Sequence, residues 1–303
     1  MVPDVVTVTR LALIAAVMLV GVGCSRTDLA YRNADWLLER YASRTVDSTP
    51  DQLEAWQPVL QDTLRRHREQ ELPLVMAYLE LAERVVAATD EPAGAGCLVE
   101  GALLLYRRHA RLAVDLAVPV LTNLDAAQIR HLAEYTTRRQ QDAVERYLNP
   151  DPQRRKAARQ QRMTERIEKW TGRLDASQRQ QIEDALERIP DLSEAWLAYR
   201  AQQTDTLLGM LESGTAAEPL RAYLVGWWAH RNGTSPETRQ AWQTARQEFT
   251  QLLDKLADTL TDRQRAALEG RLAAMRNDLS PFLSPARQPT SLPALDACDA
   301  EPA

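Results

Sequence analysis

The chain has 303 residues, of which 45% are hydrophobic and 26% charged, and its formal net charge is −5. This composition is ordinary for a folded protein with a buried core. Because a mildly acidic chain is a poor candidate for broad binding to nucleic acids or anionic membranes, we expect no nucleic-acid partner.

The first 24 residues have the layout of a secretory signal. Arg10 precedes an unbroken apolar run over residues 11–20, and small residues then lead to Cys24. This order of segments is typical of a cleaved signal peptide, and the run is shorter than the roughly 20 apolar residues that span a bilayer. A cysteine directly after the cleavage position resembles a bacterial lipoprotein signal. We therefore predict that residues 1–23 are removed and that a lipid on Cys24 anchors the protein to a membrane; an uncleaved anchor is the alternative.

The residue after Cys24 bears on the choice of membrane. In Gram-negative bacteria, lipoproteins with Asp at that position tend to stay at the inner membrane, and here Ser25 follows. By that resemblance we expect the outer membrane, with the protein on its periplasmic face.

The other two cysteines are Cys97 and Cys298. The periplasm is oxidising, so the two thiols could pair there. Cys298 lies in a proline-rich tail over residues 285–303, which we expect to lack regular structure, and a bridge would fasten that tail to the body. The sequence leaves the pairing open.

Helix signals dominate the chain, and no segment shows the alternation of a strand. Four segments combine Asp or Thr with Gln three residues later, the pattern of a capping box at a helix start. They are Thr49–Gln52, Asp125–Gln128, Asp175–Gln178 and Thr261–Gln264. Their irregular spacing argues against a solenoid, so we interpret them as separate helix starts in an all-α, multi-helix bundle.

The last two predicted helices cover residues 236–260 and 262–283. Each carries an apolar stripe at steps of three and four, so we expect them to close as a C-terminal antiparallel hairpin. The two prolines at 150 and 152 suggest a boundary between an N-terminal helical region, 24–149, and a C-terminal helical region, 150–284. One continuous bundle is the alternative.

One predicted helix, 50–71, carries polar residues where its apolar stripe continues. His67 and Glu71 are four residues apart on that face, close enough to meet. Together with Asn33 and Arg68 they form a candidate polar cluster between the first two helices, because buried polar groups need partners. A structural ion pair and a metal or acid-base site are both possible. A metal needs three or four ligands, and only two are visible locally.

A basic run follows the predicted boundary, over residues 154–162. Five of its nine residues are Arg or Lys, and glutamines lie among them. We interpret it as a solvated helix face in preference to a binding patch.

Several motifs resemble the DUF6279 family of Gram-negative lipoproteins. The matching positions are Tyr31, Asn33, Trp36, Gln52, the run Arg66–Pro73, and Trp170, Gly172, Leu174, Asp175 and Gln178. The resemblance covers about residues 24–280. It implies an all-helical outer-membrane lipoprotein, and it implies no activity or ligand.

Three classes of function compete. The sequence lacks a phosphate-binding loop, a nucleophile elbow and metal-site motifs, which favours a non-catalytic envelope module that binds a protein or the cell wall, without a cofactor. A helical periplasmic chaperone that clasps clients is the alternative, because the capping boxes resemble elements of such chaperones. An enzyme that uses His67 and Glu71 is the third class, and we do not expect it.

Overall fold

The computed structural model describes residues 24–88 and 94–283, so the predicted signal peptide and proline-rich tail lie outside the described residues. Within these ranges the regular structure is helical, without a β-strand, which confirms the all-α, multi-helix prediction. No helix in these ranges combines the length and apolarity needed to cross a membrane.

The helices are numbered in chain order. They are α1 Cys24–Arg32, α2 Ala34–Val46, α3 Pro50–Arg66, α4 Leu72–Ala87, α5 Ala95–Leu121, α6 Ala126–Tyr147, α7 Pro152–Thr171, α8 Ala176–Arg188, α9 Ser193–Glu212, α10 Ala217–Trp228, α11 Pro236–Asp258 and α12 Asp262–Leu279. A π-helical turn, His67–Glu71, joins α3 to α4, and a 3₁₀ turn, Ser280–Phe282, follows α12.

The four predicted capping boxes are all present. They start α3, α6, α8 and α12, and in each the cap side chain accepts from the Gln backbone while the Gln side chain accepts from the cap backbone. In α8, for example, Gln178 N–H donates to Asp175 at 2.8 Å and Asp175 N–H donates back to Gln178 at 3.0 Å. Each box satisfies backbone donors that a helix start otherwise leaves free.

The four box glutamines start four separate helices, as predicted, and in addition they form two pairs. Gln52 and Gln128 exchange amide hydrogen bonds of 3.0 and 2.6 Å. Gln178 and Gln264 do the same at 3.0 and 2.8 Å. The starts of α3 and α6 therefore meet in the same way as the starts of α8 and α12, so one arrangement is used twice in the fold.

The predicted C-terminal hairpin is wrong, because α11 and α12 do not pack along each other. Helix α11 packs on α8 and α5, whereas α12 packs on α4, α1 and α7. Accordingly, Leu252 of α11 belongs to a core with Ile182, and Leu272 of α12 belongs to another core with Leu79. The apolar stripes were correct as local features, but each helix buries its stripe against a different part of the body.

Helix α12 also connects the two predicted regions. Its apolar residues share a core with α4, and Arg265 donates to the Val86 carbonyl at 2.6 Å. The predicted boundary coincides with the loop between α6 and α7. The division into regions 24–149 and 150–284 stays a prediction.

A histidine cluster as the candidate functional site

The candidate site lies at the π-helical turn between α3 and α4, and Pro73 accounts for that turn. Proline lacks a backbone N–H and its ring collides with the carbonyl four residues earlier, so a regular α-helix cannot continue through it undisturbed. Here the chain widens over His67–Glu71, and the Leu72 N–H donates to the His67 carbonyl five residues back. Such single wide turns are frequent at functional sites.

His67 is the centre of a chain of hydrogen bonds through three helices. The Tyr31 hydroxyl of α1 lies 2.9 Å from His67 Nδ1, and His67 Nε2 lies 3.2 Å from His109 Nε2 of α5. On the far side, His109 Nδ1 lies 2.7 Å from the Leu105 carbonyl oxygen. The chain therefore links the first helix of the body to α5 through the π turn.

The Leu105 carbonyl fixes the direction of every bond in this chain. A carbonyl only accepts, so His109 Nδ1 carries a proton and, in the neutral ring, His109 Nε2 accepts. His67 Nε2 then donates, which leaves His67 Nδ1 to accept from the Tyr31 hydroxyl. One assignment of protons thus satisfies all three rings in their neutral forms.

The surroundings favour these neutral forms. Burial, followed by the nearby charges of His109 and Arg68, lowers the pKa of His67 to about 3. Burial also lowers the pKa of His109, and burial raises the pKa of Tyr31 to about 12 against the opposing charge of Arg68. All three groups are therefore uncharged at neutral pH.

Beside the histidines lies a paired carboxylate. Glu71 is buried, at 5% exposure, and it accepts two bonds from the Arg108 guanidinium, at 2.6 and 2.7 Å. This two-pronged geometry is the strong form of an arginine–carboxylate pair. The predicted bond between His67 and Glu71 is wrong, because Arg108, on the facing helix α5, takes up the carboxylate and His67 bonds to two other rings.

The remaining predicted cluster residues lie at the edge of the site or outside it. Asn33 is exposed, and its side chain donates to the Leu29 carbonyl at 2.7 Å, so its predicted place in the cluster is wrong. Arg68 is exposed too, but a hydrogen bond and its charge reach Tyr31 and oppose the rise of the Tyr31 pKa.

Sequence reasoning missed three residues of the site, Tyr31, Arg108 and His109. A signal for His109 was present, because it continues the apolar spacing of Leu105 and Ala113 along α5, just as His67 continues the stripe of α3. Two histidines on the apolar faces of two predicted helices are candidates for contact with each other.

Two of the three cysteines lie in the described part of the chain. Cys24 is the first residue of α1, and Cys97 lies in the first turn of α5 and is disulfide-bonded. Cys298 lies outside the described residues, so its pairing with Cys97 stays a prediction.

The basic run of α7 is only partly a solvated face. Lys156 forms an exposed ion pair with Glu187 at 3.1 Å, as expected of a surface helix. Arg159 instead donates to the carbonyls of Leu186, Ile189 and Pro190, at 3.4, 2.7 and 3.0 Å. It therefore closes the C-terminal end of α8, which the sequence did not predict.

The chemistry of the cluster favours a structural role. In residues 24–88 and 94–283, no three His, Cys, Asp or Glu side chains converge as metal ligands. An imidazole whose pKa is about 3 is a weak base at neutral pH, whereas general bases work best with a pKa near the operating pH. The rings instead satisfy one another, and the cluster joins α1, the π turn and α5.

Comparison with known proteins identifies the family. No curated protein and no solved structure matches the chain. A family model, described as a family of unknown function, matches residues 45–224, more than half of the chain and including the π turn, Arg108 and His109. The chain therefore belongs to the DUF6279 family.

Proposed function

We propose that the protein is a lipid-anchored envelope lipoprotein, held through Cys24 at the periplasmic face of the outer membrane, whose helical body is a non-catalytic binding module. The observation that carries the proposal is the placement of Cys24. Cys24 follows the signal-like segment in the sequence and lies on α1, a helix that is packed against the body. A lipid on this cysteine would therefore fix the body close to the membrane surface.

Helix α1 is held to the body at Tyr31. The Tyr31 ring is buried and lies 4.3 Å from the Phe282 ring, while its hydroxyl bonds to His67. The guanidinium of Arg32, the next residue of α1, also lies over the Phe282 ring, 5.2 Å from its centre. We propose that the histidine cluster serves to position this anchor helix.

A binding module fits the cluster better than an enzyme does. The two imidazoles are neutral and each of their nitrogens already has a partner, so neither is free to exchange a proton with a substrate. The box glutamines, which suggested a chaperone, face each other between helix starts. Their likeness to chaperone elements is thus accounted for by helix capping and pairing.

Metabolic labelling with palmitate in a Gram-negative host tests the anchor. We expect the wild-type protein to incorporate label and to fractionate with the outer membrane, and Cys24→Ser to lose all label and to stall as precursor or leave the membrane. The Cys97→Ser/Cys298→Ser variant is the matched control and should keep its label. Labelling that survives Cys24→Ser refutes the lipid anchor.

Cross-linking in intact cells tests the binding module. Affinity capture of the cross-linked protein should recover a specific envelope protein or cell-wall fragment with the wild type and with His230→Ala, a change at an exposed position. If cross-linking recovers only lipid, or if purified protein turns over a cell-wall substrate, the binding-module proposal fails.

A further inference from the structure

Two large apolar side chains are strongly exposed on the described part of the chain. Leu29 is 62% exposed and Trp36 is 54% exposed. Both lie in the first two helices, five and twelve residues after Cys24. At a rise of about 1.5 Å per residue, they lie about 8 and 18 Å along the chain from the proposed lipid. The surroundings of the two side chains indicate why they are exposed so near to a membrane anchor.

The side chains around them form one face, which we call the anchor face. The exposed residues of α1 and α2, apart from the first three residues of α1, are Leu29, Arg32, Asn33, Trp36, Arg40 and Arg44. None of them is acidic. The opposite side of α2 packs into the body through Leu38, Ala42 and Val46, so the anchor face points away from the core.

The arginines are arranged around the apolar groups. The Arg40 guanidinium lies 5.4 Å from the centre of the Trp36 ring, and Arg32 is paired with Asp28 at 2.8 Å. Arg44 lies one turn beyond Arg40 on the same side. The charge of the whole chain is negative, but this face offers positive charge beside an apolar pair.

We propose that the anchor face lies on the bilayer that holds the Cys24 lipid, with Leu29 and Trp36 in the interfacial region and Arg40 and Arg44 against anionic phospholipid headgroups; this rests on the proposed function. Tryptophan concentrates at membrane interfaces, and arginine can bury its stem while its charge stays at the headgroups. The lipid holds the face beside the surface at high effective concentration, so a weak contact suffices. The lipid and the anchor face together would give the body one orientation on the membrane.

Quenching by brominated phospholipids tests this contact. The lipidated full-length protein is reconstituted in vesicles of phosphatidylethanolamine and phosphatidylglycerol at about 3:1, with and without bromine on the acyl chains, and flotation first establishes attachment. Trp36 is one of seven tryptophans, so we expect brominated vesicles to remove about one seventh of the wild-type emission. Trp36→Phe should show no such loss, and Trp242→Phe, a half-buried position on α11, should keep it.

The outcomes separate the two proposals. If the protein floats with vesicles but Trp36→Phe is quenched as strongly as wild type, the anchor face does not touch lipid, and the lipoprotein proposal stands. If a bound protein, and not lipid, covers Trp36, brominated vesicles will quench wild type and Trp36→Phe equally, and the lipid contact is refuted in that case too. If the protein does not float at all, the anchor at Cys24 is wrong and both proposals fail.

Discussion

The side-chain amides of Gln178 and Gln264 bind each other through two N–H···O bonds at the junction of α8 and α12. Each amide nitrogen also donates to a backbone carbonyl, at Thr259 and Arg173, both at 2.9 Å. Each amide oxygen accepts in addition from its own cap backbone, so both amides have all their partners. Gln178 is 0% exposed, which leaves no water to replace a lost bond.

Gln178→Ala should therefore lower the free energy of unfolding by about 1–3 kcal/mol, because it strands buried groups of Gln264 and of the backbone. Urea unfolding followed by circular dichroism measures the change. Gln180→Ala, at an exposed position two residues along the same helix, is the matched control and should change little. Because the amides share their bonds, Gln178→Ala/Gln264→Ala should lose less than the sum of the single losses. Unfolding of Gln178→Ala at the wild-type urea concentration would show that the pair does not stabilise the fold.

These glutamines show how much of the fold local sequence can predict. A capping box joins residues three apart, so local spacing was enough to predict all four of them. The pairing of Gln178 with Gln264 joins residues 86 positions apart, and nothing local specifies it. The hairpin prediction failed for the same reason, because an apolar stripe predicts that a face is buried but not which helix covers it.

In the candidate site, too, local features were predictable from the sequence and contacts between distant residues were not. The stripe of α3 placed His67 and Glu71 toward the interior, and Glu71 is buried as that predicts. Their partners come from α1 and α5, and they depend on how three helices converge. The π turn also escaped prediction, since the predicted helix ends at residue 71, whereas the chain widens over His67–Glu71 and continues directly into α4.

The histidine chain yields a second prediction. His67→Ala and His109→Ala should each lower the thermal midpoint, since the first leaves a nitrogen of the buried His109 ring without its partner and the second leaves one of the half-buried His67 ring, at about 1–3 kcal/mol. The double variant should lose less than the sum, because both changes remove the same bond. His230→Ala, at an exposed position, is the control and should melt like wild type. Wild-type melting of both single variants would mean that the rings do not join the helices.

The ion pair of Glu71 yields a third prediction. Glu71→Ala should destabilise the fold clearly, because the carboxylate is buried and its loss opens a gap and frees Arg108. Arg108 itself is 36% exposed in its side chain, so water screens part of the interaction and the loss should stay near the lower end of the range for buried pairs. Glu69→Ala is the control: Glu69 lies two residues before Glu71 and pairs with the exposed Arg65, so its loss should have little effect. Equal thermal midpoints for Glu69→Ala and Glu71→Ala would contradict a stabilising role of the Glu71 ion pair.

Arg159 yields a fourth prediction, opposite to the one that its polar sequence context suggests. Arg159→Ala should lower the thermal midpoint, because three carbonyls at the end of α8 lose their donor. Arg154→Ala is the control, since the Arg154 side chain is 84% exposed. A surface change of that kind usually shifts stability by less than about 0.5 kcal/mol. If Arg159→Ala and Arg154→Ala have the same thermal midpoint, Arg159 contributes no more to stability than a solvated arginine.

The last prediction concerns pH. The pKa of His67 is about 3 in the folded protein against an ordinary value of 6.5, so the unfolded chain binds a proton in this range and the folded chain does not. Stability is therefore fully present above pH 6.5 and falls as the pH drops toward 3, by up to about 1.4 kcal/mol per pH unit for one such group. Burial lowers the pKa of His109 in the same direction.

Urea unfolding at about pH 7, 6 and 5 measures this slope in a range where carboxylates contribute little. Wild-type stability should fall steadily over these steps, and His67→Gln/His109→Gln should show a much flatter dependence even though it starts from a lower stability. His230→Gln, which changes an exposed histidine, should keep the wild-type slope. A double variant as steep as wild type would show that the two rings are already protonated in the folded protein, and the neutral hydrogen-bond chain from Tyr31 to Leu105 would have to be abandoned.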